Sequence, residues 1–142
     1  MIDMKNNFLL GIDYGTKKIG ISIGQFITKS CRPLDIIYED RINEIKNIIA
    51  EWSIEKIIIG FPEHEKMGSI HKEIKDFAAE IEKSVDSHIE IIFHDEVFTS
   101  EFAKDEFARM RSKGITKKSS SDYDDISASI ILQSWINENM IE

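Results

Sequence analysis

Asp13 ends the apolar run Phe8-Leu9-Leu10-Gly11-Ile12-Asp13, and Tyr14-Gly15-Thr16-Lys17-Lys18 follows it directly before the chain returns as the alternating stretch Ile19 to Ile23. A carboxylate at a strand end, beside a glycine turn and two lysines, suits a site that handles phosphate: turn amides can approach an anion closely, and a cation can sit on the acid. A second acidic pair, Asp95-Glu96, ends the run Ile89 to Phe93, and a third, Asp124-Asp125, opens the apolar stretch Ile126 to Trp135. If three such acids gather in one cleft they repel each other, and divalent cations relieve the repulsion. Oxygen-only donors favour hard ions, Mg²⁺ or Mn²⁺. Two of them about 4 Å apart can activate a water and stabilise the leaving oxygen of a phosphodiester.

Asp13, Glu96 and Asp124 are the ligand set this reading selects. Asp95 is the substitute for Glu96, since neighbouring strand residues point to opposite faces. Asp124 shares a helical face with Ala128, Ile131 and Trp135, whereas Asp125 lies on a less uniformly apolar stripe with Ser129 and Leu132. Ser121 and Asp124 also have the spacing of a helix-capping pair, a role that does not exclude metal binding. Lys17 and Lys18 are the candidate phosphate contacts. His64, His71, His88 and His94 lack metal-ligand spacing, and neither a serine elbow nor a CxxC pair is present. His94 reads as a polar strand end.

The elements that must position these residues follow from hydropathy. Phe8–Asp13 and Ile19–Ile23 read as a hairpin, and a third extended piece spans about 27–38, with Pro33 at an edge or bulge. Ile42, Ile45, Ile48, Ile49 and Trp52 have helical spacing. Residues 56–61 form a strand apolar on both faces, as in parallel sheets. Ser69 can cap a helix striped by Ile70, Ile74, Phe77, Ala78, Ile81 and Val85, and 88–93 is the next strand. A helix from Thr99 or Ser100 to Gly114, a polar loop over 116–122 and a final helix over about 123–137 complete the chain. The aromatics Trp52, Phe77, Phe102, Phe107 and Trp135 fall on helical stripes and read as core. The order predicts an α/β domain with a mixed five-stranded sheet: a three-stranded antiparallel meander, two crossover strands, and helices on both faces.

At 142 residues, 42% hydrophobic and 31% charged, the sequence reads as one domain over 1–142. Eighteen basic against 26 acidic residues give a net charge of −8, which excludes a protein that coats nucleic acid by bulk electrostatics. A polyanion must be met locally, by Lys17, Lys18, Lys29 and Arg32 or by Arg109, Arg111, Lys113, Lys117 and Lys118. The single cysteine, Cys31, excludes a disulfide framework. No secretory signal is read at the start and no apolar run reaches membrane-spanning length, so the expectation is a cytoplasmic protein without a membrane partner, a monomer or weak homodimer.

Taken in order, Gly11-Ile12-Asp13-Tyr14-Gly15-Thr16-Lys17-Lys18-Ile19-Gly20, Gly60-Phe61-Pro62, Asp95-Glu96-Val97-Phe98-Thr99-Ser100 and Asp124 to Gln133 resemble the YqgF (RuvX) family of Holliday-junction-resolvase-like proteins. The resemblance implies a ribonuclease-H-like fold and a nuclease that trims the 5′ end of pre-16S ribosomal RNA in the bacterial cytoplasm. It places the family's acids on Asp13, Glu96 and Asp124. It also implies structured RNA or branched DNA as partner, and ribosome-assembly particles. Two positions depart from the family pattern. Val97 stands where the family has an arginine, and Glu63 to Gly68 replaces a shorter loop with an Asn before its glycine. Asp13 to Thr16 also resembles the phosphate turn of sugar kinases and actin-type ATPases, but those bind nucleotide between two such domains. A non-catalytic nucleic-acid-binding or ribosome-assembly protein is the third reading.

Overall fold

The computed structural model describes residues 8–62, 68–95 and 124–139. Five strands, β1 (Phe8–Asp13), β2 (Ile19–Gln25), β3 (Ser30–Ile37), β4 (Ile54–Phe61) and β5 (Glu90–Asp95), form one sheet in the order β3-β2-β1-β4-β5. The first three pair antiparallel, and β4 and β5 run parallel to β1, which is the predicted meander with two crossovers. Helices α1 (Arg41–Trp52) and α2 (Ser69–Ser84) are the crossovers, and α3 (Asp124–Asn139) covers the opposite face. The predicted helix up to Gly114 and the loop over 116–122 lie outside the described residues, as do Phe102 and Phe107.

Alternation along β1 and β4 divides the core. Leu10, Ile12, Ile57 and Ile59 pack with Ile45, Ile49, Ile74, Phe77 and Ile81 of α1 and α2. Leu9 and Ile58 face the other way, onto Ile131, Leu132, Trp135 and Ile136 of α3. Ile57, Ile58 and Ile59 are all 0% exposed, as a strand buried on both faces requires. Each such side chain contributes about 1.5–3 kcal/mol through burial.

Strand β3 is shorter than its sequence pattern suggests because residues 25–29 make the turn: the Lys29 N–H donates to the Gln25 carbonyl at 3.0 Å, with Lys29 at φ 56°. Pro33 sits on this edge strand at a register slip, facing Ser22 while Asp35 faces Ile21, so Leu34 is the extra residue of a bulge. Helix α2 is capped by Gly68 rather than Ser69. The Gly68 N–H donates to His71 Nδ1 at 3.1 Å, and His71 Nε2 donates to the Pro62 carbonyl at 2.8 Å. An accepting Nδ1 assigns the neutral Nε2–H tautomer. This 1%-exposed imidazole therefore ties the end of β4 to the start of α2, a role its spacing did not suggest.

Helix α3 docks closely. A Cβ on Gly24 would lie 2.9 Å from Leu132 Cδ2, and the Ser22 hydroxyl donates to the Ala128 carbonyl at 2.9 Å. Ser129 and Leu132, on the stripe of Asp125, are both 0% exposed, so the polar Ser129 is buried along with its apolar neighbour. Cys31 is partly exposed, but its Sγ donates to the Ser129 carbonyl at 3.2 Å, and burial of the sulfur pushes its pKa up from 9.0 to about 12. The folded state thus keeps a proton that the unfolded chain sheds near pH 9. This contribution to stability is complete below pH 9 and is lost as the pH climbs toward 12. Urea midpoints measured from pH 8 to 11 should fall, and a Cys31→Ala variant should show the smaller fall.

Candidate functional site

Asp13 is the last residue of β1, paired with Gly20 of β2. It shares its face with Leu9 and Gly11, the face covered by α3. One step beyond the Ile12–Ile59 pair, the neighbour on β4 is Gly60, so neither flanking strand position carries a side chain at the level of Asp13. The Ala128 carbonyl lies over Gly11 and Ser22, one pleat short of Asp13 and Gly20. Asp124, the first residue of α3, is one helical turn before Ala128, so α3 begins on the Asp13 face of the sheet. The end of β1 and the start of α3, more than a hundred positions apart in the chain, are on one side of the molecule.

The turn after Asp13 is built tightly. A Cβ at Gly15 would meet the Lys18 carbonyl at 2.5 Å, so only glycine lets the backbone fold back here. The Tyr14 ring packs 5.1 Å from Phe77, and its hydroxyl donates to Glu73 Oε1 at 3.2 Å. Arg41 Nη1 donates to the Thr16 carbonyl at 2.8 Å. Lys17 is exposed at the tip and Lys18 is half-buried.

Asp95 ends β5 at the same sheet edge, paired with Phe61. The preceding His94 reaches α3, with Nε2 3.0 Å from Ser134 Oγ and 3.1 Å from Glu138 Oε2. Alternation then turns Asp95 to the α1/α2 face, away from Asp13. Glu96, the preferred partner from sequence, lies outside the described residues, and among the described residues no group of three His, Cys, Asp or Glu side chains is placed to hold a metal ion. His94 is more than a polar strand end: its side chain is 10% exposed and fastens β5 to α3. Ser134 and Glu138 meet the same ring nitrogen, so the trio is an anchor and not a serine–histidine proton relay. The sequence reading gave Arg41 no role and read His94 only as a strand end. The one signal for Arg41 is a cation at a helix N-terminus, where the helix dipole disfavours it.

The family model described as RuvX, Holliday junction resolvase, matches residues 7–138 of this chain. The chain belongs to the RuvX family. Proteins of Francisella tularensis subsp. tularensis (strain WY96-3418) and subsp. novicida (strain U112), each named "Putative pre-16S rRNA nuclease", are 34% identical to it over 137 residues, covering 92% of this chain and 97% of the relative. Solved structures with the same fold include T. thermophilus RuvC in complex with Holliday junction substrate, at TM-score 0.64, 14% identity and coverage of 95% of this chain and 96% of that one. Fowlpox virus resolvase in complex with substrate Holliday junction DNA matches at TM-score 0.61 and 14% identity, over 92% of this chain and 97% of that one. The mixed five-stranded sheet predicted from the order of elements and the ribonuclease-H-like fold implied by the resemblance are therefore the fold of this RuvX protein, and its family is one of nucleases. No described helix is long and apolar enough to cross a membrane.

Proposed function

We propose that this RuvX protein is a metal-dependent phosphodiester hydrolase acting on structured RNA, with 5′-end processing of pre-16S rRNA as its task in the cytoplasm. The observation that carries the reading is the placement of Asp13 at the end of β1, on the face where α3 begins with Asp124. The name its Francisella tularensis relatives carry supports this substrate. Asp13, Glu96 and Asp124 would hold Mg²⁺ or Mn²⁺, an all-oxygen donor set that suits those hard ions. Such ions lower the pKa of a water and offset charge on the leaving oxygen. The chain's own contribution is to fix Asp13 at a rigid strand end between two glycines and to present Lys17 and Lys18 to the phosphate backbone from an anchored turn. His94 adds rigidity by holding β5 against α3 one strand beyond Gly60.

Branched DNA is the second reading, favoured by the Holliday-junction complexes among the structural neighbours. One assay separates the readings: a 5′-extended 16S precursor RNA and a four-way DNA junction are each incubated with the protein in Mn²⁺ and in EDTA. Cutting of the RNA in Mn²⁺ alone is the expected result. Cutting of the junction alone selects a resolvase. Retained binding with both substrates intact selects a ribosome-assembly protein that uses the same face without cleavage, the reading that Val97 in place of the family arginine makes worth testing.

A further inference from the structure

Arg41 is the first residue of α1, where the positive end of the helix dipole disfavours a cation. Its side chain does not serve that helix. The guanidinium crosses to the turn after Asp13, donates to the Thr16 carbonyl at 2.8 Å, and lies 4.9 Å from the centre of the Tyr14 ring and 5.7 Å from that of Phe77. Tyr14 is held in turn by Phe77 and Glu73 of α2. One planar cation therefore joins the start of α1, the α2 surface and the backbone one residue before exposed Lys17. Lysine fits this place less well, because its ammonium lacks the flat face that lies over the Tyr14 ring while one edge donates to the Thr16 carbonyl.

From this geometry we infer that Arg41 is a positioning residue for nucleic-acid binding, acting through the turn that presents Lys17 rather than by touching the ligand. The inference rests on Lys17 as a phosphate contact, but it concerns binding and stands apart from cleavage. If Arg41 acts by fixing the turn, replacing it with another cation should be nearly as harmful as removing Lys17, and the two losses should not add.

The test is fluorescence anisotropy with an end-labelled RNA hairpin in EDTA, over a range of salt concentrations, on full-length protein. Lys17→Ala is expected to weaken binding and lower the slope of log K against log salt by about 1. Arg41→Lys keeps the net charge, yet is expected to produce a comparable loss and slope change. The Arg41→Lys/Lys17→Ala double variant should bind no more weakly than Lys17→Ala alone. Tyr14→Leu, which removes the stacking surface and leaves Arg41 in place, is the second variant should Arg41→Lys fold poorly, and it should shift affinity in the same direction. Full affinity in Arg41→Lys, additive losses in the double variant, or unchanged binding by Lys17→Ala overturns the inference. Binding without cleavage in Mn²⁺ would remove the nuclease reading and leave the clamp intact.

Discussion

Replacing Asp13 with asparagine is expected to lower Mn²⁺-dependent cleavage by about 10³-fold or more, equivalent to roughly 4 kcal/mol of lost transition-state stabilisation. The substitution keeps the shape and one oxygen of the side chain but removes the charge that a hard divalent ion requires. Asp13 is half-buried at a strand end, not in the core, so unfolding free energy should move by no more than about 1 kcal/mol. The two readouts must therefore separate: single-turnover cleavage collapses while the urea midpoint stays close to that of the unmodified protein. Calorimetric titration with Mn²⁺ should lose its heat in parallel with activity. Robust cleavage by Asp13→Asn would falsify the assignment of this edge as the site.

Gly11→Val should do the reverse, costing about 3 kcal/mol or more of stability, because it overfills a contact with no room to yield. A Cβ at this position would lie 2.2 Å from Ser22 Oγ, 2.8 Å from Leu132 Cβ and 2.9 Å from the Ala128 carbonyl. Two of those atoms form the buried Ser22–Ala128 hydrogen bond, so α3 must lift from the sheet and leave a buried hydroxyl and carbonyl without partners. Equilibrium urea unfolding reads the loss directly. Cleavage should fall as well, since the displaced helix begins with Asp124. A variant as stable as the unmodified protein would show that α3 does not approach β1 as described.

The contrast between Asp13 and Gly11 marks how far the sequence could be read. Asp13 announced itself through a local pattern, an apolar run ending in acid beside a glycine turn. The buried strand around Ile58 and the stripe of α2 were legible for the same reason, since period and apolarity are properties of adjacent residues. Pro33 correctly signalled an edge and a bulge, because a missing N–H has few permitted places in a sheet. No local pattern marks Gly11 and Gly24 as positions that must stay small, because part of the space a side chain would need is taken by a helix more than a hundred residues away. The choice between Asp95 and Glu96 depended on which face β5 turns to α3, and the His94 contact settles that face for Asp95. His71 displaced Ser69 from the cap of α2 because an imidazole reaching back to both Gly68 and Pro62 satisfies two backbone groups at once.

The late position of α3 in the chain has a consequence for biosynthesis. Leu9 and Ile58 belong to strands made early, yet the helix that shields them from water comes after all five strands. Translation proceeds from the N-terminus, so in a nascent sheet Leu9 and Ile58 lack the cover of this helix until residues 124–139 emerge. A ribosome stalled before that point would display a sticky half-core, a natural target for holding chaperones, and products truncated ahead of α3 should aggregate rather than survive as smaller folded proteins.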